Sequence, residues 1–270
     1  MTEHLAAKRV TAPAGTPAIS VRNLHLSFGA RVLLEDASFD VHRGQIVVLL
    51  GGSGSGKSSL MKTIIGLHRP TGGDVLIDGE SLFQADAAGK VRLQRKLGVM
   101  YQGGALFGSL NVLANVRFPL DRFTQLTLEQ KNLAVRMLLH ELEMDGTETL
   151  MPAELSGGML KRVGIARAMA LGCDILLLDE PSAGLDPVTA ADLDRTILAL
   201  RSEFAVTFLI VSHDLQSIFA IADRAIMLDG HARGVIADGV PAFLRDQSSD
   251  ARVHRFFNRQ PDSLRASGER

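Results

Sequence analysis

Residues 45–58 constrain the fold more than any other stretch. The run of residues 45–50, apolar from Ile46 to Leu50, has the length and composition of a strand buried on both faces. Directly after it come Gly51, Gly52, Ser53, Gly54, Ser55, Gly56, Lys57 and Ser58. These match the pattern Gly-x-x-x-x-Gly-Lys-Ser/Thr in full, and residues 58–66 read as a helix. In that strand–turn–helix setting the pattern builds a phosphate cradle. Glycines let backbone N–H groups wrap phosphate oxygens, and the helix N-terminus adds a favourable dipole. Lys57 places a point charge on the β- and γ-phosphates, the Ser58 hydroxyl suits Mg2+, and Ser59 continues the site into the helix.

The rest of the chain reads as an α/β fold around that strand. Residues 18–28 and 32–41 alternate apolar and polar, as antiparallel strands with one buried face do. Further strands are expected at 74–78, 98–102, 174–179, 207–212 and 225–228, with helices between several of them, including 190–201 and 216–222. That alternation gives a largely parallel sheet. Between Gln102 and Cys173 the text is helical throughout. Leu128, Val135, Leu138 and Leu142 recur at helical spacing, so residues 103–172 are expected to form an inserted helical subdomain. Residues 1–17 lack periodicity and read as a disordered tail, residues 18–240 as the main domain, and residues 241–270 as a helical extension.

Composition narrows the function classes. Lys and Arg number 29 against 30 Asp and Glu, a net charge of −1. This excludes a nucleic-acid binder that works by bulk charge. With no Trp and 5% aromatic residues, stacking platforms for single strands are disfavoured as well, so no nucleic-acid partner is expected. The single Cys173 permits no intrachain disulfide, fits a reducing compartment, and reads as a small buried hydrophobe. The apolar runs are strand-sized, well short of the ~20 residues of a spanning helix, and no secretory signal is read at the N-terminus.

Two more stretches carry chemistry. Residues 175–181, Ile-Leu-Leu-Leu-Asp-Glu-Pro, are a buried strand ending in two carboxylates. Asp179 is placed to hold Mg2+ through water and Glu180 to polarise an attacking water. Ser156, Gly157 and Gly158, in the run Leu-Ser-Gly-Gly-Met, precede a helix expected over residues 160–171. They read as an anion site at a helix N-terminus, with Ser156 also serving as the helix cap.

In this order and at this spacing, the three stretches resemble the nucleotide-binding subunits of ABC transporters, over about residues 19–239. The resemblance implies a P-loop NTPase (RecA-like) core with an antiparallel β subdomain and an inserted α-helical subdomain. It implies ATP and Mg2+ as cofactors, and a head-to-tail homodimer in which Ser156, Gly157 and Gly158 reach the nucleotide held by the other copy. Gln102 resembles the glutamine that touches Mg2+ and water, His213 the histidine that contacts the γ-phosphate, and Phe28 the aromatic that stacks on adenine. Phe28 also reads as packing in an edge strand. Residues 182–186 resemble the loop that crosses the dimer. Gly52 departs from the family pattern, where Pro is frequent, and Leu160 is less polar than usual.

A finer resemblance rests on Gly104-Ala105-Leu106-Phe107, Ser109-Leu110, Val112, Asn115-Val116, Phe118-Pro119-Leu120 and the Met of Leu-Ser-Gly-Gly-Met. Together they resemble the ATPases of Mla/Mce-type lipid transporters. That implies phospholipid transport between inner and outer membranes, with an integral membrane permease, a lipid-binding Mce protein and an accessory subunit. The chain would then sit peripherally on the cytoplasmic face of the inner membrane. An importer ATPase for another cargo and a soluble iron–sulfur assembly ATPase remain the alternatives. Leu106, Phe107 and Leu110 read equally as a partner groove and as packing of the helical subdomain. The Phe256–Phe257 pair leaves the C-terminal extension either folded on its own domain or reaching a second copy.

Overall fold

The computed structural model describes residues 15–29 and 31–260. Most of the expected N-terminal tail (residues 1–14) and the last ten residues of the extension lie outside the described residues. The elements run β1 (Ile19–Phe28), β2 (Arg31–Val41), β3 (Ile46–Gly51), α1 (Lys57–Ile64), β4 (Gly72–Ile77), β5 (Glu80–Ser81), α2 (Ala87–Gln94) and β6 (Leu97–Met100). There follow α3 (Val112–Phe123), α4 (Leu128–Glu141), α5 (Gly157–Met169), β7 (Ile175–Asp179), α6 (Pro187–Phe204), β8 (Thr207–Val211), α7 (Leu215–Ile221), β9 (Arg224–Asp229), β10 (Gly234–Gly239), α8 (Pro241–Gln247) and α9 (Ala251–Phe257).

A 6-stranded sheet of order β10-β9-β3-β8-β7-β6 forms the centre, and a 4-stranded sheet of order β2-β1-β4-β5 packs beside it. The central strands pair in parallel from β9 to β6, and β10 is an antiparallel edge. The smaller sheet is antiparallel throughout. This is the α/β architecture expected from the sequence, with a helical insertion between β6 and β7.

The two-residue period of each central strand divides the core into two layers. Ile46, Val48 and Leu50 of β3, Leu176 and Leu178 of β7, and Phe208 and Ile210 of β8 face one layer, where α3, α4, α5 and α6 pack. Val47 and Leu49, Ile175 and Leu177, and Leu209 and Val211 face the other, against α1 and the smaller sheet. Strands covered on both faces must be apolar at every position, which is why Ile46 to Leu50 show no alternation.

Several expected boundaries are corrected. The strand expected over 98–102 ends at Met100, because Gly103 and Gly104 at φ 83° and 76° close a turn with a Gly104 N–H to Tyr101 carbonyl bond of 2.9 Å. Gln102 therefore lies in the turn beyond the strand, not at its end. The helix expected from residue 160 starts at Gly157, since Ser156 caps it and packing offsets the low helix propensity of two glycines. On α4, Val135 and Leu139 are buried whereas Leu128 is 60% exposed. Leu138 packs partly buried against the same core and Leu142, just past the helix, is buried, so the expected stripe holds from Val135 onward, takes in Leu139 as well, and fails at Leu128. The described part of the extension carries the helices α8 and α9, and α9 buries Val253 and Phe257 in the main core of its own domain.

Candidate nucleotide site

Parallel register brings four loops to one edge of the central sheet. Leu49 of β3 is level with Val211 of β8, Asp179 of β7 is level with the same Val211, and Met100 of β6 is level with Leu178. The glycine-rich loop after β3, His213 after β8, Asp179 and Glu180 at the end of β7, and Gln102 after β6 therefore emerge together. The carboxyl ends of parallel strands are where open α/β sheets bind ligands.

The glycine-rich loop is shaped by what its neighbours leave free. Gly51 has φ 144°, and a Cβ there would lie 2.1 Å from the Leu228 carbonyl oxygen, so no other residue fits. Lys57 Nζ donates to the carbonyls of Gly51 at 2.7 Å and Gly52 at 2.9 Å. Gly56, at φ 96°, is the N-cap of α1, and no side chain caps it. The helix thus presents its first N–H groups without an internal acceptor, as an anion-binding terminus does. A depression of about 240 Å³ is lined by Gly54, Ser55, Gly56, Lys57, Ser58 and Ser59 together with Arg31 and Leu33 of β2. Arg31 and Leu33 were missed in the sequence because only the hairpin fold carries them to the loop. The Phe28 side chain lies outside the described residues.

Beside the loop sits a cluster of opposite charges. Burial holds the Lys57 ammonium below its ordinary pKa, with Glu180 and Asp179 acting against that. Asp179 is pushed up, chiefly by burial and then by Glu180, while Lys62, Lys57 and Lys161 pull it down. Glu180 has φ 49°, in the left-handed region. Its Oε2 lies 2.8 Å from Nδ1 of the exposed His213. That contact lacks hydrogen-bond geometry, and the buried Oε2 has no hydrogen-bond partner among the described residues. A buried acceptor without a protein partner is where an ordered water is expected.

Ser58, Asp179 and Gln102 offer a hydroxyl, a carboxylate and an amide. This all-oxygen set suits Mg2+, which takes few protein ligands when phosphates supply the others. Among the described residues no cluster of three or more His, Cys, Asp or Glu could hold an ion alone. Ser156 accepts from the Met159 N–H at 3.3 Å as the N-cap of α5. A Cβ on Gly158 would lie 2.6 Å from Thr189 Cγ2, so this glycine also lets α5 dock on α6. Ser156, Gly157 and Gly158 do not line the depression at the glycine-rich loop.

One further residue escaped the sequence reading. Lys161 of α5 is 4% exposed, and its Nζ donates to the Glu180 carbonyl at 3.3 Å. Its only sequence signal is a lysine at an inward position of a helix. Leu106 packs against the main core, whereas Phe107 is 43% exposed, 4.9 Å from the Phe118 ring and stacked under Arg167. Among the described residues no helix is long and apolar enough to cross a membrane.

Comparison with known proteins places this geometry. The ABC transporter family profile matches residues 34–183. The chain is 35% identical over 240 residues to the intermembrane phospholipid transport system ATP-binding protein MlaF of Escherichia coli (strain K12), covering 89% of this chain and 88% of that protein. It is 40% identical over 211 residues to the probable ribonucleotide transport ATP-binding protein mkl of Mycobacterium leprae, which covers 78% of this chain but only 61% of that longer protein. Among solved structures, the cbiO1 subunit of the cbiONQ ABC transporter complex from Clostridium perfringens superposes with a TM-score of 0.79 at 25% identity, over 86% of this chain and 92% of that one. The dimeric ABC cassette MJ0796 in a post-hydrolysis state with ADP and Pi gives a TM-score of 0.73 at 28% identity, over 82% of this chain and 98% of that one.

Proposed function

The chain belongs to the ABC transporter ATP-binding family and hydrolyses ATP as a transporter's motor subunit, and from that premise we propose that its cargo is phospholipid moved between membranes. Three things support the cargo: the Gly104-to-Leu120 pattern, the Met159 of the signature run, and the match to MlaF along nearly the whole of both chains. The mycobacterial relative is named for ribonucleotide transport, and small-solute uptake is the competing reading.

The observation that carries the motor reading is the buried Glu180 carboxylate against His213 at the mouth of the glycine-rich loop. In this reading the loop amides and Lys57 bind the β- and γ-phosphates, with Lys57 leaving the carbonyls of Gly51 and Gly52 to do so. Ser58 and Asp179, with Gln102, would hold Mg2+, which would neutralise phosphate charge. Glu180 accepts a proton from the attacking water, and His213 orients the γ-phosphate and the carboxylate. Gly51 to Ser59 and Phe28 bind the nucleotide of their own copy, while Ser156, Gly157 and Gly158 close on the nucleotide of a second. A homodimer then works peripherally on the cytoplasmic face of the inner membrane, through an integral permease joined by an Mce-type lipid-binding protein and an accessory subunit. Residues 18–240 act as the motor domain, with the helical insertion near 103–172 facing the permease.

Two experiments test this. Glu180→Gln keeps shape and ATP binding, and turnover should fall on the order of 10²-fold or more; near-normal turnover in steady-state assays would remove Glu180 from the role. For cargo, the native complex is purified through a tag on this chain and its bound lipid measured by mass spectrometry. Enriched phospholipid supports the proposal. A complex free of lipid, with cells defective in uptake of a small solute, overturns it.

A further inference from the structure

Lys161 is a buried charge to which the reaction as described assigns no task. Burying an ammonium costs several kcal/mol unless it is paired. Burial does push its pKa down, and the charges of Glu180 and Asp179 oppose that shift. The partner it has found is the peptide of Glu180 itself. The Glu180 carbonyl accepts from Lys161 Nζ at 3.3 Å and from the Ala183 N–H at 3.2 Å, and the Glu180 N–H donates to the Val211 carbonyl at 2.8 Å.

These three bonds surround a strained residue. Left-handed backbone at a residue other than glycine costs about 1–3 kcal/mol and persists only where the surroundings over-determine it. The N–H bond to Val211 ties Glu180 to β8, just before His213. The carbonyl bonds tie it to the turn before α6 and to α5. Of the three donors and acceptors, Lys161 alone is a side chain, and it alone brings a charge.

We propose that Lys161 is a positioning residue for Glu180, clamping the strained peptide that aims its carboxylate and balancing the negative charge of the Asp179–Glu180 pair. The inference rests on the reading of Glu180 as the water-activating group. It adds a link within one chain. Lys161 lies on α5, whose N-terminus carries Ser156, so a movement of that helix is transmitted to the Glu180 peptide by a single side chain.

The test compares Lys161→Met, Lys161→Arg and Glu180→Gln in the full chain. Steady-state ATPase rates, binding of a fluorescent ATP analogue and thermal unfolding are measured for each. Lys161→Met keeps the aliphatic stem and removes the charge and the donors. It should lower kcat about tenfold or more and leave nucleotide affinity within about twofold, a pattern expected for an interaction that matters after binding. Lys161→Arg should recover most of the rate. If Lys161→Met does not fold, Lys161→Leu, which likewise removes the charge and the donors, must show the same loss of kcat at unchanged affinity. Unchanged kcat in a folded variant, or a loss of nucleotide affinity equal to the loss of rate, overturns the proposal. Retained turnover in Glu180→Gln would instead overturn the reading of Glu180. If Glu180→Gln is inactive while Lys161→Met turns over normally, the failure belongs to the positioning role alone.

Discussion

Asp194 sits 9% exposed on α6, close to Ser217 of α7, whose hydroxyl donates to Asp214 at 3.3 Å. Burial is the main reason its pKa rises to about 6; the nearby Ser217 hydroxyl opposes this and Asp214 adds to it. In the unfolded chain an aspartate titrates near ~3.9. The folded state therefore holds this proton more tightly than the unfolded one. The group favours folding most at low pH, and that contribution is lost as pH rises from about 4 through about 6. Asp194→Asn, which keeps the shape and removes the charge, should gain on the order of 1–2 kcal/mol at pH 7.5 and nothing near pH 4. Urea unfolding at the two pH values checks it, and an equal gain at both would remove ionisation as the cause. Asp194 gave no signal in the sequence, because its environment is made by a helix it meets only in the fold. Arg31 and Lys161 escaped for the same reason, whereas Lys57, Ser58 and Asp179 stood out because their motifs are contiguous in the chain.

At the scale of elements, what was legible depended on how local the signal is. The strands β3, β7 and β8 are continuous apolar runs and were read directly. The edge strand β10 is bounded by Gly234 and Gly239, and α2 contains Gly89 and buries only Leu93. Each is held by its neighbours more than by its own pattern, and neither was expected. Asn115 shows how a residue of the subfamily pattern earns its place. It is fully buried on α3, its Oδ1 accepts from the Phe107 N–H at 2.8 Å, and its Nδ2 donates to the Leu110 carbonyl at 2.8 Å and approaches those of Phe107 and Asn111 at 3.1 Å. It therefore pins the loop that follows Gln102 to the helical insertion. Asn115→Ala leaves several backbone groups without partners and should cost about 2–4 kcal/mol, read as a lower midpoint in denaturant. A surface-neutral effect would mean that water satisfies the loop. The C-terminal helices are a brace of similar kind. Phe257 is 3% exposed, with its ring centroid 5.8 Å from that of Phe219 on α7. Phe257→Ala should cost about 3 kcal/mol with little change in nucleotide affinity. Full stability in that variant would show that α9 contributes nothing to the domain.

Across the whole molecule, the two anion-ready helix termini are not in one place. The N-terminus of α1 opens on the depression with Lys57 and Ser58, while Ser156 at the N-terminus of α5 stands outside it. Under the proposed reading a head-to-tail pair would complete two sites, each from one copy's Lys57 and the other's Ser156. The arrangement predicts complementation. Lys57→Ala removes the charge that meets the phosphates. Ser156→Arg gives up a cap worth about 1 kcal/mol and puts a long side chain where the second copy's nucleotide should dock. Each variant alone should be inactive, and Ser156→Arg should still bind ATP as a monomer. Mixed in equal amounts, half of the dimers combine one copy of each. In these, one site holds both lesions and the other is intact, so activity should return to about a quarter of the unmutated level if closed cyclic dimers form at random and each intact site turns over independently. A mixture no more active than its components, when size-exclusion chromatography shows that the mixed dimer has formed, would mean that one intact site cannot fire alone or that the halves do not meet across the pair. Repeating the assay with Glu180→Gln in place of Lys57→Ala separates these. It leaves both nucleotides bound and asks only whether the intact site can hydrolyse beside a filled but silent one. Activity recovered in that second mixture keeps the head-to-tail geometry and assigns the first failure to loss of binding at one site.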